Sequence, residues 1–426
     1  MHVLFITPSY KPFLGGAQRF VAEMAMRFLR DGHAVRILTT TAREPADFWR
    51  PPSTTRPLPA HEIVEGVEVH RLLLRYPWPA PWTFGLLRRL SYTSNRTGLA
   101  RHLTRWMPPL KGLDEALSKN LCWAEATFVI DASWDGLLYR TASQARRTGA
   151  PLVVMPLMHL GDAQVHVHFQ LPHQLEIYRQ AHALIALTTI EAQAYISLGV
   201  DAARLHVVPM GVNPTDANHV EATSAPPHLR DKLGPSRPFA LFLGANTEDK
   251  GCFTACQAIL DLNRTRPTLD LVCAGPQPEL VRRYLAAQPT GERALAERHI
   301  CVLGPVDESA KSAFLAHCEM LLLPSRVDAF GIVLLEAWLH AKPVIGAKAG
   351  GIPELVIPGG NGLLVPYGDT AALAQAIAHL HNNPDLRHHL GQAGRKLVLE
   401  CYTWDKTYRL VSNILKGITR QCASFI

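Results

Sequence analysis

The sequence lacks several features that would assign it to other classes of protein. It has no run of 18 apolar residues, so we expect no helix that spans a bilayer. Residues 1–8 lack the basic stretch and the cleavage site of a signal peptide, and the eight cysteines form no C-x-x-C pair. These absences predict a cytoplasmic protein with reduced thiols.

Charged residues are also few, at 19% of the chain against 47% hydrophobic residues, and this balance argues against disorder. A chain of 426 residues is too long for one compact core, so we expect two domains. The glycine pair Gly15 and Gly16 does not form a G-x-G-x-x-G motif, which weakens a dinucleotide-binding interpretation.

Two series of short apolar runs alternate with helical or irregular spacers. The first series predicts strands at residues 2–7, 34–40, 67–74, 127–133, 151–157, 183–188 and 205–210. The second predicts strands at residues 239–245, 269–275, 300–304, 320–325, 344–347 and 362–366. The alternation predicts an α/β fold with two doubly wound, Rossmann-like domains, joined by a linker at residues 211–238.

The passage MLLLPSRVDAFGIVLLEAWLHA, residues 320–341, carries the clearest site pattern. A buried strand ends before Asp328, and a helix is expected to begin near Phe330 and Gly331. The amides of Phe330, Gly331, Ile332 and Val333 would then favour a bound phosphate. Glu336 is an acid on a mostly apolar helix and suits a ribose diol. Alternatively, Asp328 is an N-cap and Glu336 a solvated residue.

The longer stretch PSRVDAFGIVLLEAWLHAKPVIGAKAGGIPELVIPGGNGLLVPYGD resembles the donor-binding signature of glycosyltransferase family 4. The resemblance implies a GT-B architecture, with two domains facing each other across a cleft, and retaining transfer of sugar from a nucleotide donor. Two glutamates with seven residues between them are typical of that family. Glu336 stands at the second position, implied to bind ribose, and Asp328 replaces the first, implied to contact the donor sugar.

The resemblance continues in FLGANTEDKG, residues 242–251. It implies that Lys250 pairs with the donor diphosphate, and it places Asn246 and Ser325 in the same donor site. Ala245 stands where the family usually has an arginine, so one phosphate contact is lost or supplied by another residue. The alternative is a solvent-exposed Lys-Gly pair at a helix start.

The N-terminal half resembles the family more loosely, through ITPSYKPFLGGAQRFVAEMAMRFLRDGHAV and VVPMGVN. Gly15 and Gly16 would approach the donor phosphates or the acceptor, or they form a tight turn without a ligand. His159 follows a strand end where the family often has a cleft histidine, although most histidines are structural or exposed. Asp135, in DASWDG, could face the acceptor.

Residues 71–111 contain eight basic residues and no acid, interleaved with aromatic residues. This segment could lie on the inner face of the plasma membrane, where it would hold a lipid-linked acceptor. It could equally be a solvated rim whose arginines cover aromatic side chains. It matches no nucleic-acid-binding module, so no nucleic acid is expected as a partner.

The resulting expectation is a hexosyltransferase that uses a UDP- or GDP-sugar and a glycan, lipid-linked or small-molecule acceptor. Its catalytic residues would be His159, Lys250 and Asp328. No Asp-x-Asp pair occurs, and the resemblance implies no bound metal and no cofactor besides the donor. The domains would be an acceptor-side domain at 1–215, a donor domain at 216–400 and a C-terminal helix at 401–426, which could pack on the first domain. The alternatives are a sugar-nucleotide epimerase or phosphorylase, and a catalytically silent binding module.

Overall fold

The computed structural model describes residues 1–12, 15–48, 58–76, 107–130, 135–161, 170–217, 237–265 and 269–423. The chain divides into two compact units. The first comprises Met1–Met158, Ala163–Val208 and Thr407–Ile426, and the second comprises His159–Asp162 and Pro209–Lys406. Each unit is a largely parallel sheet flanked by helices, so the α/β prediction is confirmed.

The sheet of the first unit has eight strands in the order β3-β4-β2-β1-β5-β6-β7-β8. The strands are β1 (His2–Ile6), β2 (Ala34–Thr40), β3 (His61–Val64), β4 (Val67–Leu72), β5 (Ala126–Ile130), β6 (Leu152–Met155), β7 (Ala183–Ala186) and β8 (Leu205–Val207). The helices are α1 (Gly16–Arg30), α2 (Leu113–Trp123), α3 (Asp135–Thr148), α4 (Pro172–Gln180) and α5 (Thr189–Ser197). Strand β3 runs antiparallel to β4 and was not predicted from the sequence.

The apolar face of α1 explains the core of the first unit. Its Phe20 packs at 5.9 Å from the Phe128 ring of β5, and Phe5 of β1 lies 5.7 Å from the same ring. All three rings are fully buried. The chain therefore opens with a strand-helix-strand unit, in which α1 connects the parallel strands β1 and β2.

The sheet of the second unit has six parallel strands in the order β11-β10-β9-β12-β13-β14. The strands are β9 (Phe239–Leu243), β10 (Asp270–Ala274), β11 (Ile300–Val302), β12 (Met320–Leu323), β13 (Val344–Ala347) and β14 (Gly362–Val365). The helices are α6 (Cys252–Thr265), α7 (Pro278–Ala286), α8 (Thr290–His299), α9 (Glu308–His317), α10 (Ile332–Leu339), α11 (Ile352–Leu355), α12 (Thr370–His381), α13 (Pro384–Cys401) and α14 (Trp404–Ala423).

Helix α14 begins at Trp404, and most of it belongs to the first unit. There Tyr408 donates a 2.7 Å hydrogen bond to Asp31 and meets the Phe28 ring edge-on at 4.9 Å. In the predicted linker, Val212 forms a β-bridge with Thr403, so the start of that segment is ordered within the second unit. Residues 218–236 of the linker lie outside the described residues.

Two predictions from the sequence fall largely outside the described residues. The basic segment 71–111 is described only at residues 71–76 and 107–111. Of the DASWDG segment, residues 131–134 and the side chain of Asp135 are not described. Among the helices that are described, none combines the length and the apolar character needed to cross a membrane.

Candidate functional site

The strand order of the second sheet reverses at the neighbouring strands β9 and β12. The chain builds β10 and β11 on one side of β9 and then returns to place β12 on the other side. The loops that follow two strands at such a reversal run in opposite directions. Ligands of open α/β sheets bind between these loops, at the carboxyl ends of the strands. The loop after β9 carries Lys250, and the loop after β12 carries Asp328.

Backbone contacts hold these two loops together. The Arg326 amide donates to the Asp249 carbonyl at 2.8 Å, and the Ser325 hydroxyl donates to the Lys250 carbonyl at 3.4 Å. Gly251 has a φ of +77°, and a Cβ atom there would lie 2.0 Å from the Pro324 carbonyl oxygen. The close approach of the two backbones therefore requires a glycine at position 251. The same approach places Lys250 beside the second loop.

Lys250 and Asp328 form an ion pair, with 2.9 Å between Nζ and Oδ2. Their side chains are 30% and 15% exposed, so solvent reaches the pair. Burial would by itself raise the pKa of Asp328, but the Lys250 ammonium outweighs that effect and lowers its pKa below the usual value. Asp328 is thus a carboxylate at neutral pH, next to a cation suited to phosphate.

The glycine turn after β13 packs against the loop that carries Asp328. The Gly351 amide donates to the Asp328 carbonyl at 2.8 Å, and Gly350, with a φ of +58°, leaves no room for a Cβ atom against the same carbonyl. Gly161 in turn packs on Gly350, because a Cβ atom at Gly161 would lie 2.9 Å from the Gly350 nitrogen. The segment that carries His159 is thereby fixed against this loop.

His159 is electrostatically linked to the ion pair. Burial, with the nearby Lys250 charge, lowers the pKa of His159 to about 4. The imidazole is therefore neutral at neutral pH and can both donate and accept a hydrogen bond. The structure thus brings together His159, Lys250 and Asp328, the three residues that were predicted from the sequence to be catalytic.

Helix α10 begins one or two residues later than expected. Its first residue is Ile332, and Gly331 is the N-cap with a φ of +84°. The Phe330 amide does not point freely into solvent, because it donates to Oδ1 of Asp328 at 3.3 Å. The amides of Gly331, Ile332 and Val333 therefore form the N-terminal end of the helix, where by position they lack acceptors in a preceding turn.

Glu336 is buried at 8% exposure rather than solvated. Its Oε1 accepts a 2.8 Å hydrogen bond from Lys311 of α9, which also contacts the exposed Glu308 at 2.7 Å. Lys311 was not predicted, because no local sequence motif links α9 to α10. Likewise, Asp328 is not the N-cap of α10, so both simpler interpretations of these acids were wrong.

Two of the predicted donor-binding residues have internal partners. Asn246 is fully buried, donates to the Gly275 carbonyl at 2.8 Å and accepts from the Cys252 thiol at 3.5 Å. Ser325 is also fully buried, with its hydroxyl on the Lys250 carbonyl. Their side chains therefore help to shape the two loops, and a contact of either residue with the donor stays a prediction.

Gly15 and Gly16 belong to the first unit, directly before and at the start of α1. The Gly15 amide donates to the Gln18 side chain at 3.1 Å, and a Cβ atom at Gly16 would meet nothing within 4 Å. The pair follows β1, which lies beside β5 at the switch point of the first sheet. Contact between these glycines and a donor or acceptor stays a prediction.

Comparison with known proteins places this geometry in a family. Residues 228–397 match the family described as glycosyl transferases group 1, and residues 15–211 match the glycosyl transferase 4-like domain. A D-inositol 3-phosphate glycosyltransferase of Xylanimonas cellulosilytica is 26% identical over 96% of this chain and 93% of its own length. An uncharacterized glycosyltransferase of Methanocaldococcus jannaschii is 31% identical over 42% of this chain, and the match spans 48% of that protein.

Solved structures share the fold over the whole chain. Anabaena HepE in complex with UDP has a TM-score of 0.69 and 18% identity, and covers 98% of this chain and 100% of its own. An α,α-trehalose 6-phosphate synthase of Burkholderia multivorans has a TM-score of 0.72 and 14% identity, with 99% and 100% covered. Taken with the two family matches, this similarity shows that the chain is a glycosyltransferase of the GT4 type with the GT-B fold.

Proposed function

We propose that this glycosyltransferase moves a hexose from a UDP- or GDP-sugar to a glycan, lipid-linked or small-molecule acceptor, with retention of anomeric configuration. The observation that carries the proposal is the Lys250–Asp328 ion pair at the β9/β12 switch point, beside the start of α10. One structural neighbour, Anabaena HepE, was solved with UDP and with UDP-glucose, which supports a nucleotide-sugar donor.

In the proposed complex, the donor diphosphate lies between Lys250 and the amides of Gly331, Ile332 and Val333. A lysine and a helix N-terminus both stabilise the negative charge that grows on the departing nucleoside diphosphate. The sugar would pass through an oxocarbenium-like state. Because these protein groups offset the charge, the proposal includes no metal and no cofactor.

The sugar would contact Asp328 and the neutral His159, and Glu336 would accept hydrogen bonds from the ribose diol. Lys311 fixes one oxygen of Glu336, which orients the other for the ribose. Ala245 replaces the arginine that usually contacts the donor phosphate in this family. Arg326, 30% exposed and tied to Asp249 in the joined loops, is the cation nearest in sequence to Asp328 that could supply that contact.

A panel of nucleotide sugars tests the proposal directly. Ligand that binds only the native state raises the melting temperature, with about 2.7 kcal/mol of stabilisation at 100 times Kd. We expect a UDP- or GDP-sugar to raise the melting temperature of the wild-type protein. The Glu336→Gln variant should lose most of that increase. Glu308→Gln is the matched control, because Glu308 contacts the same Lys311 but is exposed.

Activity is then measured as acceptor-dependent release of UDP or GDP, and the product anomer is assigned by NMR. Release without an acceptor would instead indicate an epimerase, and a requirement for inorganic phosphate would indicate a phosphorylase. If no UDP- or GDP-sugar shifts the melting temperature, the proposed donor is wrong, and a catalytically silent binding module becomes the better interpretation.

A further inference from the structure

The edge hairpin of the first sheet places two histidines side by side. Strands β3 and β4 pair antiparallel, with His61 opposite His70, and are joined at Glu65 and Gly66, whose φ angles are +52° and +82°. Opposed residues of an antiparallel pair share one face of the sheet. The two imidazole rings accordingly lie with their centroids 4.5 Å apart.

Glu68 completes a cluster of three side chains on this face. It lies two residues before His70 on β4, so it points to the same side. Its Oε1 is 2.7 Å from Nε2 of His70 and 3.8 Å from Nε2 of His61. The inward face is separate, since Val67 and Val69 are fully buried in the core.

A second contact holds the carboxylate of Glu68 in place. The Arg36 guanidinium binds Oε2 at 2.8 Å, and Arg36 itself lies 4.1 Å from the centroid of the Trp123 ring. One oxygen is therefore fixed by the arginine while the other faces both histidines. Outer-shell contacts of this kind orient metal ligands in proteins.

The three ligand atoms all lie within 4.8 Å of one another, which is close to the spacing of ligands around a transition-metal ion. Imidazole nitrogens and carboxylate oxygens bind zinc at about 2.0–2.2 Å, so adjacent ligand atoms lie roughly 3–4 Å apart. We propose that His61, Glu68 and His70 form a surface site for a divalent transition-metal ion. Two imidazoles and one carboxylate favour zinc, copper or nickel over magnesium or calcium.

The site is open to solvent, because the side chain of His61 is 60% exposed and that of Glu68 is 34% exposed. The remaining coordination positions would hold water. A bound ion would join β3, the edge strand, to β4 and thereby stabilise the sheet edge. None of these three residues has a part in the proposed sugar transfer, so the site is independent of that proposal.

Isothermal titration with Zn²⁺ on the untagged, full-length protein tests the inference. We expect the highest-affinity site to have a stoichiometry of one and to weaken at least tenfold in each of His61→Ala, His70→Ala and Glu68→Gln. The matched control is the double variant His388→Ala, His389→Ala, which removes two exposed histidines of α13 and should leave that site unchanged.

Electron paramagnetic resonance with Cu²⁺ supplies a second readout. The wild type should show hyperfine coupling from two imidazole nitrogens, and His61→Ala should show one fewer. Circular dichroism establishes that each variant is folded. Equal zinc affinity and stoichiometry in the wild type and in folded His61→Ala and His70→Ala would overturn the inference.

Discussion

At the scale of single residues, the candidate site depends on one cation. Lys250 is the partner of Asp328 and also perturbs His159, so three polar groups share one electrostatic environment. A cation that offsets charge on a leaving group contributes more in the transition state than in the ground state. The lysine should therefore matter more for turnover than for the fold.

We expect Lys250→Ala to lower kcat/KM for the donor by at least about 100-fold, roughly 3 kcal/mol of transition-state stabilisation. Steady-state release of the nucleoside diphosphate measures the effect. Lys348→Ala, which removes an exposed lysine from the same unit, is the control and should stay within twofold of the wild type. A Lys250→Ala enzyme with normal kcat/KM would remove Lys250 from the mechanism.

At the scale of elements, the joined loops after β9 and β12 depend on Gly251. Its left-handed φ of +77° and the 2.0 Å approach of a Cβ atom to the Pro324 carbonyl oppose any side chain. We expect Gly251→Ala to destabilise the protein by roughly 2–4 kcal/mol, because the strained backbone and the clash both act. Chemical denaturation followed by circular dichroism measures the loss.

Gly291 is the matched control for that substitution. It lies within α8, and a Cβ atom there would have no neighbouring atom within 4 Å. Alanine at this position should leave the free energy of unfolding unchanged or raise it slightly. Equal stability of Gly251→Ala and Gly291→Ala would show that the two loops are not held by the glycine approach.

The same elements show what the sequence could predict. The strands of both sheets are apolar runs between turn residues, so their positions were predicted to within a few residues, and β2 and β13 at the observed bounds. Strand β3 was missed because it is only four residues long, contains His61 and Glu62 beside Ile63 and Val64, and follows a proline-rich stretch of sequence. Only the Glu65–Gly66 turn signalled a hairpin.

The site was predicted in part for a similar reason. Lys250, Asp328 and Glu336 lie in local motifs, whereas Lys311 reaches Glu336 from another helix through tertiary packing. The buried partners of Asn246 and Ser325 are also set by tertiary contacts. A motif indicates that a residue lies near the ligand, but only the packing decides whether its side chain faces outward.

At the scale of the whole molecule, several histidines are held neutral by the fold. Burial is the main cause that lowers the pKa in each case, and for His159 and His340 the pKa falls to about 4. The others with a lowered pKa are His33, His70, His182 and His206. In the unfolded chain each would titrate at its ordinary value, near pH 6.5.

This difference predicts acid sensitivity well above the range where carboxylates titrate. Between pH 6.5 and 4 the unfolded state binds more protons than the folded state, so the free energy of unfolding falls as the pH falls. Each histidine that titrates only in the unfolded state contributes a slope of about 1.4 kcal/mol per pH unit. Melting temperatures measured from pH 7.5 to 4.5 at constant ionic strength should therefore decrease steadily below pH 6.5.

His340→Gln separates this mechanism from general acid denaturation. Glutamine keeps a polar group that can hydrogen-bond with the Ser312 hydroxyl, which lies 3.2 Å from Nε2 of His340, but it does not titrate. The variant should lose less stability than the wild type between pH 6.5 and 4.5, whatever its stability at pH 7.5. Because the Lys250 ammonium helps to hold the pKa of Asp328 below its usual value, the ion pair between the two residues persists through this window. A melting temperature that is flat down to pH 4.5 would mean that these imidazoles take up protons in the folded state.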